Sequence, residues 1–168
     1  MGNMTRFKIS ELFERDTLKK FPCEYFFKVL GSSEELKKMA ASFDDTDEIE
    51  VHCVDIKHIP IIDGERCYVD CFAPVKEKNG IFFFVLKSQE KVLYIGLSEN
   101  LYLTSGGPGV VAQLINGDNN AIVDYVTRNF PSLSIDDCSV LFLRLPKKCN
   151  LEEFKNKFKT FLRPLIDD

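Results

Sequence analysis

Residues 79–101 read NGIFFFVLKSQEKVLYIGLSENL. Two apolar runs, residues 81–87 and 92–95, flank the polar bend Ser88-Gln89-Glu90-Lys91, which predicts a β-hairpin whose second strand ends at Gly96. Gly80-Ile81-Phe82 opens this hairpin and Tyr94-Ile95-Gly96 closes it. Side chains alternate between the faces of a strand, so the pattern also fixes a register in which Phe82, Tyr94 and Gly96 lie side by side.

Working outward toward the end of the chain, residues 104–109 (TSGGPG) predict a loop, because three glycines and a proline leave little helix or strand propensity. Residues 110–115 follow as a short helix ended by Asn116-Gly117. Ile122, Tyr125, Val126 and Phe130 have helical spacing over residues 119–130, and residues 138–145 form an apolar strand. Asn150 and Glu153 stand at capping-box separation ahead of a helix that carries Leu151, Phe154, Phe158, Phe161 and Leu162 and stops at Pro164.

Toward the start of the chain, Ser10 precedes a short helix ended by Pro22, and residues 25–30 read as a strand. Ser32 and Glu35 have capping-box spacing before a helix that runs to Phe43. Residues 49–56 then alternate as a strand. Asp63-Gly64 marks a turn, and residues 66–75 give a further strand before Lys76 to Gly80 bends into the hairpin. No low-complexity linker divides the chain, so residues 1–75 are expected to pack on residues 76–168 as an N-terminal α/β extension. The expectation is an α+β fold, with a small, mostly antiparallel sheet around the hairpin, helices packed on it, and an N-terminal β-α-β extension.

At 168 residues and 45% apolar composition the chain can bury a core of its own. A net charge of −4 argues against a broadly basic surface while leaving room for a local basic groove. Six cysteines with no C-x-x-C pair suit a reduced, intracellular, soluble protein, and no apolar run reaches the roughly 20 residues that span a bilayer. The opening MGNMTR resembles a myristoylation site but holds Arg6 where serine or threonine is wanted. No membrane partner is expected.

The Gly80-Ile81-Phe82 and Tyr94-Ile95-Gly96 pair resembles the two signatures of the GIY-YIG endonuclease superfamily, which lie on neighbouring strands at a similar separation. Ser98-Glu99-Asn100-Leu101 looks like that family's turn after the second signature. The stretch NNAIVDYVTRNFPSLSIDDCSVLFLRL resembles its next helix and third strand, and LEEFKNKFKTFLRPLID its closing helix and proline-containing tail. The resemblance covers roughly residues 77–168. It implies a phosphodiester-cleaving centre: a tyrosine pair near the attacking water, an arginine steadying phosphate charge, and a glutamate holding a divalent metal such as Mg²⁺.

Set against that pattern, Tyr94 matches the second-signature tyrosine, whereas Phe82 keeps the ring of the first and lacks its hydroxyl. The arginine position falls near Leu103 or Thr104, and nothing cationic lies between Lys91 and Arg128. The glutamate position falls near Lys155, whose ammonium repels a cation; Glu152 and Glu153 lie within a turn of it, so a shifted register brings either to the metal. Asp167 sits near the family's asparagine beyond the proline. Taken alone, Tyr94 reads as a packed or edge tyrosine.

Other constellations read more plainly. His52, Cys53, His58, Cys67 and Cys71 are zinc-ligand types, but His52 and Cys53 alternate faces and Cys67 and Cys71 stand about 13 Å apart at strand rise, so the cysteines suit a core. The Ser105 to Gly109 loop lacks the lysine of a phosphate-binding loop and reads as a connector. Lys147, Lys148, Lys155, Lys157, Lys159 and Arg163 form the densest basic region; it suits a nucleic-acid backbone or, more simply, a solvated helix face. The expected function is therefore a catalytically degenerate GIY-YIG-like fold, acting as a nucleic-acid-binding module through Lys155, Lys159, Arg163, Lys147 and Lys148, or as a protein-interaction module. The alternative is an active, divergent Mg²⁺-dependent endonuclease of DNA or RNA using Tyr94, Glu152 or Glu153, with a cation supplied from elsewhere in the fold, such as Arg128.

Overall fold

Seven residues, Gly80–Leu86, carry no polar side chain, and a strand of that kind needs cover on both faces. In the computed structural model of the protein this strand, β5, is buried along its whole length. The structure describes residues 3–20, 24–42, 48–66, 80–98, 103–104, 107–108, 121–146 and 149–166. The expected strand beyond Arg66, the helix at 110–115, and Cys67, Cys71, Lys147, Lys148 and Asp167 lie outside those residues.

The elements in chain order are β1 (Asn3–Lys8), α1 (Arg15–Leu18), α2 (Glu24–Leu30), α3 (Glu34–Ala41), β2 (Glu48–Asp55), β3 (Ile61–Ile62), β4 (Glu65–Arg66), β5, β6 (Lys91–Ser98), β7 (Leu103–Thr104), β8 (Gly107–Pro108), α4 (Ala121–Asn129), β9 (Cys138–Arg144) and α5 (Leu151–Leu162). Five strands form an antiparallel sheet in the order β1-β2-β9-β5-β6. The late strand β9 stands between β2 and β5, so strands from the first part of the chain continue the sheet built on the hairpin. This is an α+β fold.

Alternation along β5 sorts the core into two layers. Ile81, Phe83 and Val85 join Leu141 and Leu143 of β9 on one face, beneath α1, α2, α3 and α5. Phe82, Phe84 and Leu86 join Val140 and Phe142 on the other, beneath Ile122 and Val126 of α4. The aromatic contacts are specific to each layer. Phe83 meets Phe158 of α5 edge-on at 5.2 Å and Phe26 of α2 at 5.7 Å, geometries that add to the burial itself.

Residues 25–30, expected as a strand, form helix α2. Phe26 and Leu30, both wholly buried, stand one helical turn apart and share the helix face that packs on the sheet, while Lys28 on another face is exposed. The cap of α3 is Ser33, whose hydroxyl oxygen accepts from Leu36 N at 3.2 Å, and not Ser32. Ser32 instead turns its hydroxyl back onto the carbonyls of Lys28 and Val29 at the end of α2. The strand that opens the N-terminal part is β1, which the alternation did not single out. Within the expected glycine loop, Leu103–Thr104 pairs with Gly107–Pro108 as a tight antiparallel bridge. Asp63 and Gly64, both at positive φ, form the turn between β3 and β4, a conformation that glycine adopts freely for want of a Cβ and that aspartate tolerates.

Candidate functional site

Both signature glycines mark places where the backbone must be approached closely. A Cβ on Gly80 would stand 2.2 Å from the carbonyl oxygen of Leu143, and one on Gly96 would stand 2.5 Å from Cζ of Phe82. Phe82 and Gly96 are direct partners in the β5–β6 register, so the ring occupies the space that the glycine leaves. Phe82 is 1% exposed. Its ring lies 5.9 Å from that of Tyr94 at a tilt of 38°, and 6.1 Å from that of Phe84 nearly edge-on. The expected adjacency of Phe82, Tyr94 and Gly96 is thus present, on the face covered by α4.

The row continues across the sheet. Phe82 pairs with Phe142 of β9, and Phe142 with the buried His52 of β2. Tyr94 is half-buried at the margin of this layer, together with Tyr125 of α4 and Ile166. Arg128 stands exposed in the last turn of α4, in the layer that carries Tyr94.

The acidic candidates lie elsewhere. Glu152 and Glu153 occupy the first turn of α5, where Asn150 accepts Glu153 N at 3.1 Å and the helix N-terminus favours carboxylates. Phe154, Phe158 and Leu162 seat α5 on the Phe83 face, which is the opposite side of the sheet from Phe82 and Tyr94. The tyrosine and the carboxylates are therefore not brought together. Among the described residues no group of three histidine, cysteine or acidic side chains could hold a metal ion. With Lys155 at the glutamate position, the residues present do not fit a divalent-metal centre of the resembled kind.

The basic candidates do not form one exposed stripe. Lys155 has only 18% of its side chain exposed and pairs with Glu152 at 3.5 Å. Lys159 is half-buried, and Lys157 is paired with Glu35 of α3. Arg163 is exposed but has left the helix, with φ at +50°. The outward side of α5 carries Glu152, Glu153, Asn156 and Thr160, which with Asn150 and Lys157 line an open recess of about 490 Å³.

A polar cluster that sequence reasoning missed closes one end of the sheet. Ser139 of β9 donates to Asp55 Oδ1 of β2 at 2.5 Å, Lys87 Nζ approaches the same oxygen at 2.8 Å, and His58 Nδ1 lies 3.8 Å from Oδ2. Burial pushes the Asp55 carboxyl upward, but the hydrogen bonds from Lys87 and Ser139 and the charges of Lys87 and His58 outweigh it and hold the carboxyl below its ordinary value. Asp55, Lys57, Lys87, Ser88, Asp136 and Ser139 line most of a cavity of about 180 Å³ there. The Cys138 thiol beside it is pushed up to about 12 by burial, with the charges of Asp137 and Asp136 adding. Ser139 and Asp55 are 84 residues apart, and only the strand pairing joins them.

Among the described residues no helix is long and apolar enough to cross a membrane. Comparisons with family models, with curated proteins and with solved structures found no match.

Proposed function

We propose that this chain is a GIY-YIG-like protein whose nuclease centre is degenerate and whose fold serves as an interaction module, with a protein as its partner. The observation that carries the reading is the state of the signature pair. Phe82 fills the space above Gly96 with a buried ring and no hydroxyl, while the candidate carboxylates, Glu152 and Glu153, stand on α5, which packs on the opposite face of the sheet. A phosphodiesterase needs a base, a cation and a metal ligand around one phosphate, and each is worth orders of magnitude in rate. Here the positions hold Phe82, Thr104 and Lys155. Support for the ancestry comes from the β6-β5-β9 order, with both signature glycines at close approaches.

A protein partner is favoured over nucleic acid by charge. The chain carries −4 overall, the outward side of α5 is acidic to neutral, and Lys155 and Lys157 are already engaged by carboxylates. Phosphate contacts need free cations, and they make binding fall steeply with salt.

The test has two arms. Purified protein is incubated with plasmid DNA and with structured RNA in Mg²⁺ or Mn²⁺; the expected result is no cleavage above background. Turnover abolished by Tyr94→Phe or Glu153→Gln would overturn the reading. In the second arm, oligonucleotide binding is measured at rising salt, with Lys155→Glu/Lys159→Glu as the comparison. Tight binding that collapses with salt and with charge reversal would make nucleic acid the partner.

A further inference from the structure

The β6 strand is the last of the five-stranded sheet, so its outer edge offers backbone carbonyls to whatever lies beside it. That edge is irregular. Phe84 pairs with Tyr94 and Val85 with Val92, so Leu93 is an extra residue with no partner on β5, which is the signature of a β-bulge. In a regular strand the carbonyls alternate between the two edges. Here the carbonyls of two consecutive residues, Val92 and Leu93, both accept from outside the hairpin: Leu165 N donates to Val92 O at 3.0 Å and Ile166 N to Leu93 O at 2.7 Å.

The segment that makes these bonds wraps the sheet edge. Helix α5 lies on the Phe83 face, Arg163 reverses the chain at φ +50°, Pro164 follows, and Ile166 packs at the margin of the opposite layer, which also holds Tyr94. Little side-chain burial secures it: Leu165 is 38% exposed and Ile166 is only half-buried. A segment held by two backbone hydrogen bonds and the half-buried side chains of Pro164 and Ile166 belongs to the low-stability end of a fold, well below the buried strands β5 and β9.

We propose that the bulged edge of β6 is a docking site for an extended peptide, and that residues 163–166 are its resident, displaceable occupant. The partner is an extended protein segment that presents two consecutive backbone N–H donors after a proline and sets an aliphatic side chain at the margin of the layer that holds Phe82. Its chemistry is defined by the segment already seated there, and the mode is backbone pairing at a sheet edge with one apolar anchor. The tandem acceptors come from the bulge, so a regular edge strand offers no equivalent. A tethered segment acts at an effective concentration in the millimolar range, so an outside peptide competes poorly until the strap is weakened. Displacement would thus couple partner binding to release of residues 163–166. The inference rests on these hydrogen bonds and not on the nuclease resemblance, so either can fail without the other.

The test uses the full chain and a fluorescent peptide with the sequence of residues 160–168. The double variant Leu165→Pro/Ile166→Asp removes one donor and the apolar anchor of the strap. It is expected to bind the peptide at least about tenfold more tightly than the unmodified protein, in line with the lost tether. The same peptide N-methylated at the positions of Leu165 and Ile166 is expected not to bind. A folded variant that ignores the peptide, or binds both peptides alike, overturns the proposal. A second measurement, hydrogen exchange on the unmodified protein, decides the matter if the variant does not fold. Exchange of the Leu165 and Ile166 amides well ahead of those in β5 and β9 supports a separable strap, and exchange at the rate of those strands overturns it.

Discussion

The ring of Phe82 lies over Gly96 so closely that a Cβ on the glycine would stand 2.5 Å from Cζ, and 3.0 Å from Cε2 of Tyr94. The Phe82 ring cannot swing clear easily, because it is 1% exposed and packed against Phe84. Gly96→Ala is therefore expected to destabilise the protein by about 1–3 kcal/mol, the usual cost of forcing extra volume into a packed core. For a chain of this size that corresponds to a fall of about 2–4 °C in Tm per kcal/mol. A thermal melt within a degree of the unmodified protein would show that the ring pair yields freely.

Restoring the missing hydroxyl is a separate question from restoring activity. Phe82→Tyr attaches an oxygen to the Cζ that lies over Gly96, in a side chain that is 1% exposed. A buried hydroxyl without a partner costs about 1–3 kcal/mol. The variant is expected to be less stable in urea and to gain no cleavage of DNA or RNA with Mg²⁺, because Glu152 and Glu153 stay on the far side of the sheet. Metal-dependent nicking by this variant would mean that the centre is one substitution away from function.

Much of the fold was legible because the informative signals are local. The hairpin follows from two apolar runs and a polar bend, and α5 from Asn150 and a phenylalanine stripe, which is how the structure forms them. What the sequence hid depends on partners distant in the chain. Residues 25–30 are rich in strand-forming types, and only the sheet beneath Phe26 and Leu30 makes them a helix. The spacing of Lys155, Lys159 and Arg163 suggests one basic face. In the folded chain Lys155 is drawn against Glu152 and Arg163 is turned out of the helix by its backbone. The separation of Tyr94 from Glu152 and Glu153 was not readable, since a helix can cover either face of a hairpin and nothing local says which.

The clasp at the end of the sheet makes stability depend on acidity in a definite direction. Asp55 is held below its ordinary value of 3.8, so its bonds to Lys87 and Ser139 contribute fully above that pH and are lost as pH falls through the lower folded value. Asp55→Asn is expected to cost about 1 kcal/mol at neutral pH, allowing for solvent screening at a lysine that is 40% exposed. The gap between variant and unmodified protein should narrow once the pH drops below 3.8. Urea unfolding at several pH values reads this directly, and a gap that stays constant into strong acid would remove Asp55 as its source.

Cys138 opens β9 at 1% exposure, and burial with the neighbouring Asp137 and Asp136 charges pushes its thiol up to about 12. The nucleophile in alkylation is the thiolate, so both access and ionisation protect this residue. Peptide mapping after iodoacetamide treatment at pH 8 is expected to find Cys138 unmodified in the native protein and modified in urea. Rapid native labelling would place β9 in a looser environment than its packing implies.

Arg163 ends α5 in the left-handed region, with φ at +50° and its N–H bonded to Lys159 O at 3.0 Å. For a residue with a Cβ that conformation costs about 1–2 kcal/mol, because the side chain crowds the following carbonyl, and glycine avoids it. Glycine also gives the unfolded chain more freedom, which takes back about half of the gain. Arg163→Gly is therefore expected to raise stability by about 0.5–1 kcal/mol, or about 1–4 °C in Tm. The same substitution removes an exposed charge from the basic region, which lets one variant separate two roles. If Arg163 serves only to turn the chain from α5 into the strap on β6, the glycine variant melts higher, keeps its Leu165 and Ile166 protection in hydrogen exchange, and binds oligonucleotides no differently. A variant that melts higher yet loses salt-sensitive oligonucleotide binding would give the side chain a part in recognition that its backbone conformation does not require.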